Sequence, residues 1–204
     1  MDSLGDIYSN FKKELEDNQN ILSQSIELFD ARNFGYPQEL HYKIVETCFV
    51  EMFNSFENFI EKAFISYLTR KPDLKGNKYK CYVSPKDEKH AYNILKGKNN
   101  YPKWTDIKEI CLIVDLYFED CGPFKQLCTN PSELQEIKNI RHYIVHKSEN
   151  ALENYKKVLY KHVSIYNMKP AEFLLTFDKS IKVPYFTLYK DFLVTIVDSI
   201  CNAN

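Results

Sequence analysis

Apolar residues recur three or four positions apart over most of the chain, and this spacing is typical of helices that bury one face. Six stretches show it: residues 2–30, 39–69, 105–120, 130–146, 148–163 and 187–201. The first is one long helix or two shorter ones, and a turn is expected at 33–37. Glycine is scarce, with five residues in 204, which disfavours sheets joined by tight turns. The pattern therefore predicts an all-α protein.

One long segment interrupts the helical pattern. Residues 71–104 are punctuated by turn-forming residues, namely Pro72, Gly76, Pro85, Gly97 and Pro102. Within the segment a short helix is expected from Ser84, its N-cap, to about Lys96. We interpret residues 71–104 as an insertion between the helices of the core.

The pattern changes again after Pro170. Residues 173–177 and 181–183 are two short runs of apolar or β-branched residues that lie close together in the sequence. Such runs are typical of strands, and they predict a small hairpin or an extended arm near residues 172–184.

The stretch at 130–146 has a clear helix start. Asn130 is a suitable N-cap, and Pro131 suits the first helical position. At about 100° per residue, the apolar residues of this helix form one stripe. The stripe contains Leu134, Ile137, Ile140, Ile144 and Val145. Arg141 falls inside it.

Arg141 is the residue of this helix that needs an explanation. An arginine directed towards a core costs free energy unless a carboxylate, a phosphate or a water-filled cleft receives it. Asn139, His142 and His146 lie on the other side of the helix. The spacing alone leaves two interpretations open: a structural arginine paired with a glutamate beside ordinary surface histidines, or a functional group of basic side chains.

The six residues from Arg141 to His146 resemble the Arg-x4-His signature of HEPN domains, a superfamily of small all-helical proteins. The position after the arginine is often Asn, His or Asp in that signature, and His142 fits it. A second stretch, residues 49–61, is similar to the long early HEPN helix, in which aromatic residues surround an acidic residue that leans inward.

The resemblance implies a fold and a partner for Arg141. The expected fold is a HEPN-like up-and-down helical bundle, with a core at about 40–165 in a single domain spanning 1–204. Glu57 lies on the flank of the inner stripe of its helix, where it can lean inward and receive Arg141. The alternative is a solvated glutamate on that flank.

Composition agrees with one domain, because 44% of the residues are hydrophobic and can form a sizeable core. No apolar run approaches the roughly 20 residues of a membrane span, and no signal-peptide pattern is seen at the N-terminus. The six cysteines include no C-x-x-C pair. They predict reduced core thiols in a cytoplasmic protein rather than a disulfide framework or a zinc site.

Charge is distributed unevenly, although the net charge is only −1. Residues 1–61 carry 12 Asp and Glu against 4 Lys and Arg, whereas residues 70–108 carry 11 Lys and Arg against 4 Asp and Glu. Such asymmetry is informative about partners rather than about fold.

Aromatic residues are interleaved with the lysines of this basic segment. Lysines can bind phosphates while aromatic rings stack on unpaired bases, a combination that suits single-stranded RNA. The candidate RNA-binding residues are Lys78, Lys80, Tyr82, Lys86, Lys89 and Tyr92. The alternative is a solvated loop whose aromatic residues, including Tyr79, Tyr101 and Trp104, pack on the body of the protein.

Arg141 and His146 are suited to cleavage of RNA without a metal. RNA carries its own nucleophile, the 2′-OH, so cleavage needs a base for its proton, an acid for the leaving 5′-oxygen, and positive charge near the phosphate. Histidine titrates near neutral pH and can fill either proton role, while arginine supplies fixed charge. In this scheme His142 or Asn139 orients or assists, and Glu57 positions Arg141.

The spacing of Arg141 and His146 sets a geometric condition. Residues five apart on a helix point about 140° apart, so both reach one phosphate only if the helix ends near His146 or if two copies face each other. Residues 147–150 look like a break. Resemblance to HEPN ribonucleases implies a homodimer with a composite cleft that contains both motifs.

A metal site is the weaker hypothesis for the two histidines. His142 and His146 have the i, i+4 spacing of helical metal ligands, but the glutamate of H-E-x-x-H is absent and no third ligand is evident. We therefore expect no cofactor.

The sequence predicts a metal-independent endoribonuclease of HEPN type. Resemblance to the family suggests a prokaryotic toxin or phage-defence effector, often with an antitoxin or other partner that restrains it. Two alternatives stay open. One is a non-catalytic HEPN-type module that binds nucleic acid, a nucleotide or a partner protein. The other is a helical dimerisation protein whose Arg141 is only structural.

Overall fold

The computed structural model describes residues 2–30, 37–96 and 102–202, and it is all-α, as the sequence predicts. Within these ranges there is no strand longer than an isolated bridge, and no helix is long and apolar enough to cross a membrane. The turn expected at 33–37 lies outside the described residues except for Pro37. The helices are α1 (Leu4–Asp30), α2 (Gln38–Leu68), α3 (Glu88–Lys96), α4 (Ile107–Tyr117), α5 (Lys125–Thr129), α6 (Pro131–His146), α7 (Glu149–Val163), α8 (Pro170–Leu175) and α9 (Tyr185–Cys201), with a 3-10 segment at Glu119–Phe124.

Side-chain caps determine where several helices begin. Asp106 accepts hydrogen bonds from the backbone N–H groups two and three residues later, so α4 starts two residues after the predicted position. Ser148 caps α7, as predicted. The prediction that Ser84 is the N-cap of the short helix is wrong. Asp87 accepts a hydrogen bond from the N–H of His90 at 2.8 Å, and α3 starts directly after Asp87. A carboxylate there also complements the positive end of the helix dipole.

The hairpin predicted near residues 172–184 is wrong for its first strand. Pro170 starts α8, which ends at Leu175, and the Glu172 side chain accepts a hydrogen bond from the backbone N–H that precedes the proline. Residues 173–175 of the apolar run are therefore helical. In this stretch the predicted strand pairing is represented by an isolated antiparallel bridge between Phe177 and Pro184. A short apolar run does not by itself distinguish a strand from a buried helical turn.

The chain divides into two compact units. The first consists of Met1–Lys12, Phe56–Leu134 and Leu193–Asn204, and the second of Lys13–Ser55 and Gln135–Phe192. Four helices, α1, α2, α6 and α9, contribute residues to both units. The assignment of 1–204 to a single domain stays a prediction.

Aromatic rings form the core of the first unit. Phe64 packs against Trp104, Phe118 and Phe124, with ring centroids 5.4, 5.1 and 5.5 Å away. The buried Tyr67 donates its hydroxyl hydrogen to a backbone carbonyl of α9 at 2.5 Å. The burial of Trp104 agrees with the alternative in which aromatic residues of the 71–104 segment pack on the body of the protein.

One carboxylate organises the start of the 71–104 segment. The buried Asp73 accepts hydrogen bonds from the backbone N–H groups of Lys75 (2.9 Å) and Asn77 (2.8 Å) and from the hydroxyl of Tyr79 (2.8 Å). Burial alone would raise the pKa of Asp73, but these hydrogen bonds outweigh it and lower the pKa. Residues 73–79, at the start of the basic segment, are therefore a structured part of the first unit.

The second unit is built around Phe49 of α2. Its buried ring meets Phe186 and Tyr189 of α9 edge to face, with centroids 5.9 and 6.2 Å apart. Tyr143 of α6 stacks on Tyr155 of α7 at 5.0 Å. The Phe49 contacts join α2 to α9, and the tyrosine stack joins α6 to α7, within the unit.

The buried face of α6 is rotated relative to the predicted stripe. Ile137 and Ile140 are fully buried, as predicted, but Val145 is 47% exposed. Glu136, which the predicted stripe leaves out, is only 9% exposed. A helical wheel treats every turn of a helix as equally covered by its neighbours. Val145 lies in the last turn of α6, next to the helix end, and is exposed although it belongs to the predicted stripe.

Candidate functional site

The candidate site lies at the C-terminal end of α6. The helix ends at His146, and Lys147 adopts a left-handed conformation (φ 50°) with its N–H donating to the carbonyl of Tyr143 at 3.1 Å. The next helix begins at Glu149. The break predicted at 147–150 is confirmed at Lys147 and Ser148, whereas Glu149 and Asn150 already belong to α7. The geometric condition that the helix ends near His146 is met.

Arg141 is held by an amide within the second unit. Its guanidinium Nη2 donates to the side-chain oxygen of Asn54 on α2 at 3.3 Å. Its Nε is buried and has no hydrogen-bond partner in the part of the chain that the structure describes. Among the described residues of this unit, no carboxylate lies within ion-pair distance of Arg141.

This environment leaves the charge of Arg141 uncompensated in its own unit. A buried charged donor without an acceptor costs on the order of 1–3 kcal/mol or more. An anionic ligand would recover that cost, because a guanidinium can bind phosphate oxygens in a bidentate manner. Such a group is therefore suited to bind an anion.

His142 and His146 lie side by side on the last turns of α6. Their ring centroids are 4.5 Å apart. His142 is half-buried and His146 is exposed. Burial lowers the pKa of His142, and the positive charges of His146, Arg141 and Lys138 lower it further. His142 is thus a neutral imidazole at pH 7, able to accept a proton.

Asn139 and Glu57 occupy different surroundings. Asn139 is half-buried, and its side-chain oxygen accepts a hydrogen bond from Gln135 Nε2 at 2.9 Å, one turn earlier on α6. Glu57 is half-buried on the part of α2 that belongs to the first unit. The roles of Asn139 in assisting the reaction and of Glu57 in positioning Arg141 stay predictions.

Asn54 is a site residue that sequence reasoning missed. It lies three residues before Glu57 and therefore on a similar side of α2. The partners expected for Arg141 were a carboxylate, a phosphate or a water-filled cleft, whereas an amide oxygen also accepts hydrogen bonds. An amide holds the guanidinium without neutralising it.

The predicted RNA-binding residues are all in the first unit, and their surroundings differ. Lys78, Lys86 and Lys89 are exposed. Lys80 is also exposed but forms an ion pair with Glu119 at 2.6 Å.

The two tyrosines among the predicted RNA-binding residues also differ in their exposure to solvent. Tyr82 is 60% exposed, whereas Tyr92 is half-buried on α3 and burial raises its pKa. The alternative hypothesis is a solvated loop whose aromatic residues pack on the body of the protein. Trp104 is buried, and Tyr101 lies outside the described residues. The exposed lysines and Tyr82 stay available as predicted RNA contacts.

Glu136 forms a second polar cluster that the sequence did not reveal. Its carboxylate contacts His162 Nε2 at 2.7 Å, the Tyr189 hydroxyl at 3.2 Å and the Lys161 ammonium. Burial would raise the pKa of Glu136, but the hydrogen bonds from His162 and Lys161 outweigh it and lower the pKa. Burial and Glu136 raise the pKa of Tyr189. The cluster joins α6, α7 and α9 within the second unit.

No group of three or more His, Cys, Asp or Glu side chains arranged to hold a metal ion occurs in the three described ranges. His142 and His146 therefore remain a pair of imidazoles in this part of the chain. A comparison with family models, with curated proteins and with solved structures found no match.

Proposed function

We propose that the protein is a metal-independent endoribonuclease of HEPN type, acting as a prokaryotic toxin or phage-defence effector. One observation carries the proposal most directly. Arg141, held by Asn54 and with a buried Nε that lacks a partner in the described chain, precedes a pair of contacting histidines at the end of the same helix. Fixed positive charge and titratable imidazoles are the groups that cleavage through the 2′-OH requires.

Arg141 stabilises the transition state in this proposal. The pentacoordinate phosphate gains negative charge on its non-bridging oxygens, and the guanidinium offers fixed charge and directed N–H donors to them. Because Asn54 is neutral, it orients the guanidinium without weakening its field. Glu57 is retained as a residue that positions Arg141.

The histidines supply the two proton transfers. A neutral imidazole removes the proton of the 2′-OH, and a protonated one gives a proton to the leaving 5′-oxygen. His146, exposed at the end of α6, acts as base or acid, while the lowered pKa of His142 keeps it neutral and suits it to assist as an acceptor. The products are a 2′,3′-cyclic phosphate and a 5′-hydroxyl.

A homodimer is part of the proposal. Two copies of α6 facing each other would supply two Arg141 and two His146 side chains to one cleft, so one histidine serves as base and the other as acid. RNA is the substrate, and an antitoxin or regulatory partner restrains the activity. The near-zero net charge favours a restricted RNA target over general degradation.

The test is RNA cleavage in excess EDTA by wild type, Arg141→Ala and His146→Ala, with His90→Ala as a control that removes an exposed histidine of α3. Each variant is first checked for unchanged helicity and oligomeric state. We expect cleavage by wild type and His90→Ala and a loss of at least about 100-fold in the two site variants. Equal activity in all four proteins would remove Arg141 and His146 from the mechanism.

The second candidate is a non-catalytic module that binds RNA. The exposed Lys78, Lys86, Lys89 and Tyr82 favour it, because they offer phosphate and base contacts without any of the catalytic groups. RNA affinity that weakens with salt, in a protein that cleaves no RNA even without its partner, would favour this candidate.

A further inference from the structure

Two tyrosines stack on each other at the surface of the second unit. The rings of Tyr160, in the last turn of α7, and Tyr166, shortly after that helix, have centroids 4.9 Å apart and planes inclined by 15°. Tyr160 is 55% exposed and Tyr166 is 57% exposed. Each ring covers one face of the other, and more than half of each residue stays open to solvent. We call Tyr160 and Tyr166 the tyrosine pair.

The backbone after α7 places Tyr166 on Tyr160. Ser164 ends the helix in a left-handed conformation (φ 57°), and its N–H donates to the carbonyl of Tyr160 at 3.2 Å. Further along, the carbonyl of Met168 accepts a hydrogen bond from the hydroxyl of the buried Tyr155 at 3.2 Å. The segment is thus tied to α7 on both sides of Tyr166. Because the tyrosine pair is already ordered, a ligand that stacks on it immobilises few further side chains.

The chain around the tyrosine pair is basic. Residues 154–169, all of which the structure describes, contain four lysines and no aspartate or glutamate. Two of these lysines, Lys161 and Lys169, form ion pairs with glutamates of α6 and α2. The other two, Lys156 and Lys157, are in no ion pair with any residue that the structure describes. Two positive charges are therefore uncompensated in this stretch.

These two lysines are neighbours of Tyr160 on α7. Lys156 and Lys157 precede it by four and three residues, the spacing at which side chains meet on a helix surface. Lys157 is exposed, and its ammonium donates to the side-chain oxygen of Asn154 at 3.0 Å. An amide oxygen orients the ammonium without neutralising it. Cationic groups and an exposed aromatic surface thus occur side by side.

We propose that the tyrosine pair is a stacking subsite for an unpaired base of single-stranded RNA, with Lys156 and Lys157 binding the adjacent phosphates. An aromatic ring stacks on any base and an ammonium binds any phosphate, so the combination recognises single strands with little sequence preference. A base inside a duplex has both faces covered and cannot use the subsite. The inference rests on the proposed function for the choice of RNA as the ligand.

The lysines favour a nucleic acid over a protein as the ligand. Tyrosine is enriched in protein–protein interfaces as well as in sites for single strands, so the tyrosine pair alone does not separate the two. Lysine is depleted in protein interfaces, whereas it is the main phosphate ligand of single-strand sites. Within residues 154–169, Ile165 is the exposed large aliphatic residue beside the tyrosine pair. The patch is therefore aromatic and basic rather than broadly apolar.

The tyrosine pair and the candidate catalytic groups belong to the same unit. α6 ends at His146 and α7 begins at Glu149, so the start of α7 lies beside the candidate site. From Glu149 to Tyr160 the helix rises by about 16 Å, at 1.5 Å per residue. At about 3.4 Å per stacked nucleotide, a strand of about five nucleotides spans that rise. The subsite would thus bind the substrate several nucleotides away from the bond that is cleaved.

The experiment measures how tightly the full-length protein binds a labelled single strand of 2′-O-methyl RNA, which cannot be cleaved through its 2′-OH. Fluorescence anisotropy in EDTA reports the affinity, and circular dichroism verifies that each variant folds. We expect Tyr160→Ala and Tyr166→Ala each to weaken binding at least about fivefold. Tyr160→Phe keeps the ring and should bind as wild type does. A strand of the same length without bases should bind equally to wild type and both alanine variants.

Phe177→Ala is the matched control. Phe177 is an exposed aromatic residue of the same unit that lies outside the tyrosine pair, so its removal should leave the affinity unchanged. Lys157→Ala should reduce the slope of log affinity against log salt by about 0.7, the value for one phosphate contact on a single strand. Tyr160→Leu and Tyr166→Leu repeat the comparison if an alanine variant does not fold.

Equal affinities of wild type, Tyr160→Ala and Tyr166→Ala for the single strand would overturn the subsite, and so would an equal loss with the strand that lacks bases. A wild-type protein that does not bind the strand would also overturn it. Alanine variants that bind RNA normally but change their oligomeric state would assign the tyrosine pair to a contact between copies of the chain instead.

The subsite and the ribonuclease fail separately. A protein that binds the strand through the tyrosine pair but cleaves no unmodified RNA keeps the subsite and contradicts the ribonuclease. A protein that cleaves RNA with the same KM in wild type and both alanine variants keeps the ribonuclease and contradicts the subsite.

Discussion

The guanidinium of Arg141 on α6 donates a hydrogen bond to the side-chain oxygen of Asn54 on α2, at 3.3 Å. A neutral amide therefore occupies a position where a structural arginine would be expected to find a carboxylate. Together with the buried Nε that has no partner in the described chain, this relationship favours a functional arginine over a purely structural one.

Replacement of Asn54 by aspartate should separate function from stability. The new carboxylate would compensate the charge of Arg141, so RNA cleavage should fall about tenfold or more while the free energy of unfolding stays within about 1 kcal/mol of wild type. Cleavage rates and urea unfolding of Asn54→Asp measure the two effects. Asn58→Asp, an exposed asparagine of the same helix, is the control and should change neither. A fully active Asn54→Asp would show that the charge of Arg141 is not used.

His142 predicts a specific dependence of stability on pH. Because its pKa in the folded protein lies below the ordinary value of 6.5, the unfolded chain takes up the proton first as pH falls. The folded state is therefore destabilised as pH drops below about 6.5, and His142→Gln should remove this penalty. Urea midpoints at pH 8 and pH 5 test this, since the variant should gain relative to wild type only at pH 5. A gain of the same size at both pH values would contradict the depressed pKa.

The Glu136 cluster should be a determinant of stability. Glu136→Gln removes a buried charge that His162, Lys161 and Tyr189 contact, and it should lower the free energy of unfolding by about 1–3 kcal/mol at pH 7. The pKa of Glu136 lies below its ordinary value of 4.5, so its contribution is present above that pH and is lost as pH falls through the folded pKa. The difference in the free energy of unfolding between wild type and Glu136→Gln, measured with a denaturant, should be smaller at acid pH than at pH 7. Glu153→Gln, at an exposed position on α7, should cost little at either pH.

Two lysines of the basic segment offer a comparison for RNA binding. Lys86 is exposed and its side chain is in no ion pair within the described ranges, whereas Lys80 is held by Glu119. Lys86→Ala should reduce the salt dependence of RNA affinity, with a change in slope of about 0.7, the value for one phosphate contact on a single strand. Lys80→Ala should change the slope less, because its ion pair must break before it can bind phosphate. Affinities measured over a range of salt test this, and identical slopes in wild type and both variants would exclude the segment as an RNA contact.

The sequence predicted those features of the fold that depend on local periodicity. The all-α class, the end of α6 at His146 and the cap of α7 by Ser148 follow from apolar spacing and capping residues. The strand predicted at 173–177 is wrong for residues 173–175, because a proline start and the Glu172 side chain favour a helical turn that apolarity alone does not reveal.

The missed residues depend on contacts between distant parts of the chain. Glu136 is buried because α7 and α9 supply partners for its carboxylate, and Asn54 matters because α6 brings Arg141 to it. Such pairings leave no periodic signal in a single sequence.

The mechanism of cleavage is tested most directly by the chemistry of the product ends. Wild-type protein, freed of any partner and kept in excess EDTA, is incubated with a diverse RNA pool and with the same pool carrying 2′-O-methyl groups. We expect 2′,3′-cyclic phosphate and 5′-hydroxyl ends from the unmodified RNA and no cleavage of the methylated RNA. Ends with 3′-hydroxyl and 5′-phosphate, cleavage of the methylated pool, activity that EDTA abolishes, or no cleavage of any RNA would contradict a metal-independent ribonuclease that uses the 2′-OH.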